Sequence, residues 1–249
     1  MVIQPRSEYR ARKKTGLAPT VAPTRLKGGH FSRGFFTFLS ELKANNDREW
    51  FNANRQRYLD EVEKPMLRFI ADFGGRARKI SRSFVADPRR MGGSMFRIHR
   101  DTRFSKDKAP FKSAAGAQFP HQSRSKDHSV PGFYLHLEPG LCVGGGGIYH
   151  PDATALKRVR DRIVMKPNEW EAILEKKIPL DGDVLKRPPR GYDVDHRFVE
   201  DLKRKDFYSM TTFTEREVCA PHFLDTYVDA CARAAPLVRF LTKALGLPW

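Results

Sequence analysis

Residues 133–148 read F-Y-L-H-L-E-P-G-L-C-V-G-G-G-G-I. Phe133, Leu135 and Leu137 alternate with Tyr134, His136 and Glu138. An extended chain sends the first set to one face and the second to the other. Pro139-Gly140 is a turn signal, and residues 141–149 can return as a neighbouring strand. One apolar and one polar face are what an antiparallel sheet shows when helices cover a single side.

Upstream, Phe96 and Ile98 alternate with Arg97 and His99, and Phe111, Ser113, Ala115, Ala117 and Phe119 again fall on every second position. The spacing predicts four successive strands over 96–99, 111–119, 133–138 and 141–149, with a polar loop at 120–131 and a further strand at 207–213. The flanks carry helical spacing instead. Ser32 reads as the cap of a helix bearing Phe35, Phe36, Leu39 and Leu42, ended by Asn45-Asn46. Asp47 can cap a second helix, and Pro65 suits the first turn of a third. After the strands, Asp152 and Pro167 can open two more, 196–205 a short one, and Pro221 a long last helix with a kink at Pro236. The expected fold is α+β, a central antiparallel meander flanked by N-terminal and C-terminal helices, in a single domain over residues 28–249.

Residues 1–27 read as a flexible basic tail. Seven cations stand against Glu8, and Pro5, Pro19 and Pro23 interrupt any helix. The whole chain of 249 residues has a net charge of +17. Such a balance points to nucleic acid, a phosphorylated ligand or another anionic partner, or to a protein that is merely basic. Cys142, Cys219 and Cys231 are far apart and odd in number, which argues against a disulfide framework or disulfide-linked partner and for a reducing compartment. With no apolar run of membrane-spanning length and no signal-peptide core, the expectation is a cytoplasmic protein with no membrane partner.

The densest charge lies in residues 97–112, R-I-H-R-D-T-R-F-S-K-D-K-A-P-F-K, where six cations face two aspartates. Arginine offers a planar fork to phosphate or carboxylate and lysine a mobile point charge. One reading is an anion site built from Arg97, Arg100, Arg103, Lys108 and Lys112, oriented by Asp101 and Asp107. The other is an internal ion-pair network, Asp101 with Arg103 and Asp107 with Lys108, that pins the loop to the sheet. If strand alternation holds, Arg97 and His99 share a surface with Tyr134, His136 and Glu138. His136 and Glu138 are then candidates for proton transfer. His99, Asp101, His136 and Glu138 make a two-histidine, two-carboxylate metal candidate, opposed by the surrounding cations. No cofactor is expected: the glycines at 144–147 lack both G-x-G-x-x-G and the Lys-Ser/Thr of a P-loop, and a close backbone approach explains them as well. Cys142 sits in no nucleophile elbow and reads as a buried thiol.

Four stretches together resemble the family known as domain of unknown function 2461: F-L-S-E-L-K-A-N-N-D-R-E-W-F, R-I-H-R-D-T-R-F-S-K-D-K-A-P-F-K, F-Y-L-H-L-E-P-G with its trailing glycines, and P-P-R-G-Y-D-V-D-H. They lie in order over about residues 31–245. The resemblance implies one continuous domain, to which the basic tail is an addition, and carries over no catalytic residue. The residues themselves leave two functions open. The first is a nucleic-acid-binding or anion-binding protein using the basic loop. The second is an enzyme acting on a phosphorylated or carboxylated small molecule.

Overall fold

A computed structural model describes residues 28–103, 105–124 and 129–249. The expected tail, residues 1–27, lies outside the described residues. Helix α1 (Arg33–Ala44) buries Phe35, Phe36, Phe38, Leu39 and Leu42. Ser32 is extended before it but makes no side-chain capping bond. Helix α2 (Arg48–Ala53) starts at Asp47, whose carboxylate accepts the Trp50 N–H at 2.8 Å. A short turn, α3 (Arg55–Arg57), then leads through a π-helical stretch (Tyr58–Glu63) into α4 (Lys64–Ala77). Pro65 stands in the first turn of α4, as expected, although the chain enters that helix directly from the π-helical stretch. Its ring removes a donor and crowds the carbonyl four residues back, and the widened turn just before it lets the chain stay helical.

The sheet has four strands in the order β1 (Ala115–Pro120), β2 (Gly132–Glu138), β3 (Leu141–Ile148) and β4 (Phe207–Phe213), all antiparallel. The expected alternation in β2 holds at every position, with Phe133, Leu135 and Leu137 buried and their neighbours half-buried. The first expected strand, 96–99, is not one. It is an irregular ribbon on the outer edge of β1, held by isolated bridges Met95 to Ala117 and His99 to Phe111. Between those two bridges the register slips by two residues, as at a bulge. Met95 pairs with the buried Ala117 and packs on the core, so Phe96 lies over the far face of the sheet beside Tyr134, and a bend at Ile98 returns that side chain to the core. The opposite edge, β4, is partly covered by residues 181–185. Both edges are thus shielded from further strand addition.

After the meander come α5 (Ala153–Met165), capped by Asp152 on the Ala155 N–H, then α6 (Pro167–Leu174) and α7 (Val199–Leu202). Beyond β4, a one-turn helix α8 (Glu215–Val218) is closed by a Thr214–Glu217 capping box. Helix α9 (Phe223–Ala244) follows. It crosses the inner face of β3 and divides the buried residues into two clusters. One joins α1, α4 and the inner face of the sheet to the first half of α9. The other joins α5, α6, α7 and the start of β4 to its second half.

The glycines of β3 explain this contact. A Cβ on Gly144 would stand 2.7 Å from the Tyr227 ring, and one on Gly146 2.7 Å from Phe133 and 2.8 Å from Val238. These positions are bare because the helix lies on the backbone itself. Gly144→Ala should therefore cost about 1–3 kcal/mol of stability by overpacking. Gly75→Ala, where no atom lies within 4 Å of the new methyl, should gain about 0.5–1 kcal/mol through helix propensity. Urea unfolding of both variants checks this, and a neutral Gly144→Ala would contradict the packing.

Candidate functional site

Among the described residues, helices pack on one face of the sheet. Its other face carries Tyr134, His136 and Glu138 from β2. His136 pairs with Gly116 in β1 and with Val143 in β3. Phe96 and the Tyr134 hydroxyl converge over the bare Gly116, at 3.3 and 3.5 Å from where its Cβ would be. Lys112 Nζ lies over the Phe96 ring, 5.4 Å from its centre.

Three polar groups are linked along β2. The Tyr134 hydroxyl is 3.1 Å from His136 Nδ1, and His136 Nε2 is 3.4 Å from Glu138 Oε2. Burial raises the Tyr134 pKa, so the phenol keeps its proton and donates to Nδ1. The imidazole then carries its own proton on Nε2, facing the carboxylate. Glu138 also accepts from Ser113 Oγ at 3.3 Å and from Lys43 Nζ at 3.5 Å. This arrangement can exchange a proton between the ring and a bound molecule, with Tyr134 and Glu138 orienting the imidazole. Lys43 and Ser113 were not foreseen from sequence. They come from α1 and from the chain just before β1, and nothing local in either marks the contact.

Lys112 is half-buried and has no carboxylate partner among the described residues. Its pKa is lowered, first by burial and then by the nearby positive charge of Arg97. Two neighbouring cations of this kind stabilise an anion placed between them and the phenol.

The loop beyond is organised differently. Arg103 grips Asp101 through both carboxylate oxygens, at 3.0 and 2.7 Å. Asp107 takes Arg100, not Lys108, and accepts the Ala109 N–H at 2.9 Å. Lys108 Nζ instead donates to the Thr102 carbonyl at 3.0 Å. Each aspartate is held below the usual carboxylate range, first by its arginine and then by a backbone N–H. Four of the seven residues proposed from sequence as an anion site and its orienting groups therefore form two internal pairs. Arg97 is exposed and Lys112 faces the open sheet. Asn46 anchors the ribbon from the helical side, bonding both backbone groups of Phe111 at 3.0 Å. Phe51 stacks on the Phe111 ring at 4.1 Å.

His99 does not reach the open face. Its ring packs near Phe51 and Phe111, because its bridge partner is the core-facing Phe111, which sets both side chains on the inner side. The metal candidate fails on the same ground: among the described residues no three His, Cys, Asp or Glu side chains converge on a common point. All three cysteines are free. Burial pushes the Cys142 thiol up to about 11, so it is protonated at neutral pH and a poor nucleophile. No helix among the described residues is long and apolar enough to cross a membrane.

Because Arg103 and Lys108 are engaged within the loop, Arg103→Ala combined with Lys108→Ala should leave the affinity for inorganic phosphate within about twofold, well under the tenfold that 1.4 kcal/mol represents. Calorimetric titration checks this. Loss of phosphate binding would return the anion site to the loop.

The family described as Conserved hypothetical protein (DUF2461) matches residues 34–240. No curated protein and no solved structure gives a significant match. The matched span takes in α1, the sheet and nearly all of α9, so the chain belongs to the DUF2461 family.

Proposed function

We propose that this protein binds a small phosphorylated or carboxylated molecule on the open face of its sheet. Lys112 and Arg97 hold the anion, and Tyr134, His136 and Glu138 manage a proton of the bound molecule. The observation that carries this reading is Lys112, a half-buried cation without a carboxylate, stacked on Phe96 beside the Tyr134–His136–Glu138 chain. A desolvated lysine next to a second cation is a costly arrangement unless an anion completes it.

The distribution of charge favours a small anion over a nucleic-acid strand. At the Lys112 end, the open face is bordered by Lys43, Arg97 and Lys112. At the β4 end the charge reverses, and Asp181, Asp206 and Asp183 act on Tyr208 strongly enough to help raise its pKa, after burial. A polyanion lying across the strands would leave a cationic end for an anionic one. Nucleic-acid grooves instead keep one sign along the backbone path.

The test is calorimetric titration of the full chain with phenyl phosphate. Lys112→Ala should weaken binding at least tenfold, roughly 1.4 kcal/mol, at an unchanged unfolding midpoint. Single-stranded DNA binding that survives Lys112→Ala, is abolished by Arg103→Ala with Lys108→Ala and falls steeply with salt would replace this reading by a polyanion-binding one.

A further inference from the structure

On the helical side of the molecule, with α9 between it and the sheet, a groove of ≈ 770 Å³ runs between α6, α9 and the end of α4. We propose that it is a second binding site, for a free amphiphilic anion: a carboxylate or phosphate head on an apolar or aromatic body. The site is separate from the sheet face and goes beyond the function proposed for it.

The rim is cationic. Lys79 follows α4, Lys176 follows α6, and Arg239 and Lys243 project from α9. The acidic side chain in the lining, Glu169, binds Arg162 at 2.7 Å and also feels Lys243 of the rim and Lys166. None of the four rim cations has an ion pair among the described residues. Their mutual repulsion is relieved by an anionic head.

The floor is apolar. Ile173 and Phe240 are buried beneath it, and Ala232, Ala235 and Pro236 form a shallow bare strip along α9. A polyphosphate gains nothing from such a floor, whereas an acyl or aryl body does. The volume falls within the range of about 300–1,000 Å³ usual for small-molecule sites. Pro236 has no N–H, so the Ala232 carbonyl lacks the donor that an unbroken helix would provide. That carbonyl lies in the same floor and can accept from a hydroxyl or N–H on the ligand.

One wall is fixed in advance. Trp249 lines the groove, with its ring edge-on to Phe84 at 5.5 Å. The preceding carbonyl, on Pro248, accepts from Nε2 of the fully buried His121 at 2.8 Å. His121 Nδ1 accepts the Ser123 N–H at 3.1 Å, which fixes the tautomer that can donate to Pro248. A pre-positioned aromatic wall lowers the ordering cost of binding.

The experiment uses the full chain and 8-anilinonaphthalene-1-sulfonate, an aromatic anion that fluoresces in apolar surroundings, with decanoate as competitor. The site should take one probe per chain, and decanoate should displace it far better than inorganic phosphate does. Arg239→Glu with Lys243→Glu should weaken probe binding at least tenfold, and Ala232→Trp, which fills the floor from an exposed helical position, should do the same. Both variants should keep the wild-type unfolding midpoint. Lys186→Glu with Arg187→Glu, an equal change of charge elsewhere, should leave binding within twofold. Equal weakening by that control, equal competition by phosphate, indifference to both groove variants, or binding to phosphatidylglycerol vesicles without any response to free decanoate would each overturn the proposal.

Discussion

Helix α9 rests directly on the backbone of β3, and most of the molecule follows from that contact. Gly144 and Gly146 leave no side chain between strand and helix, so Tyr227 and Val238 sit against the sheet itself. Tyr227 then meets Phe69, Phe73 and Phe119, tying α4 and β1 to the same layer. The far half of α9 brings Phe240 onto Trp170, which ties in α6. A single long helix thus completes both buried clusters. Residues as large as Ala at the glycines would push it away from every partner at once.

Close packing occupies the inner face, and no helix among the described residues covers the outer face, where Tyr134, His136 and Glu138 are half-buried. The ribbon at residues 94–100 reaches only its edge, where Phe96 lies beside Tyr134 and Lys112 lies over Phe96. Charge is sorted accordingly. In the loop at 100–108 the aspartates neutralise their arginines, and this stiffens the ribbon that Asn46 and Phe51 already clamp. The exposed pairs themselves add little stability, since solvent screens them. Their effect is to hold the ribbon in place while Lys112, with no carboxylate partner among the described residues, lies over Phe96.

Much of this was legible in the residues. The two faces of β2 follow from strict alternation, the caps at Asp47 and Asp152 from side chains suited to orphan N–H groups, and the Asp101–Arg103 pair from a spacing of two. What was not legible depended on distant partners. Phe96 and Ile98 look alike in a period-two reading, and only the pairing with β1 separates them. Residues 207–213 read as a strand, but their place beside β3 is set across a long helical insertion. The DUF2461 resemblance implied one continuous domain and said nothing about Lys43, which reaches Glu138 from α1. The groove on the helical side involves three elements with no shared motif, so its cations looked like ordinary solvated lysines and arginines.

The central claim is that the loop's aspartates engage its own arginines and that an anion is received on the open face. The most direct measurement is an NMR titration of the isotope-labelled full chain with phenyl phosphate, following backbone amides and the His136 ring. The account predicts saturable shifts at Lys112, Gly116, Tyr134 and His136, with residues 100–108 little changed. Shifts confined to residues 100–108, or none that saturate on the sheet, would contradict it.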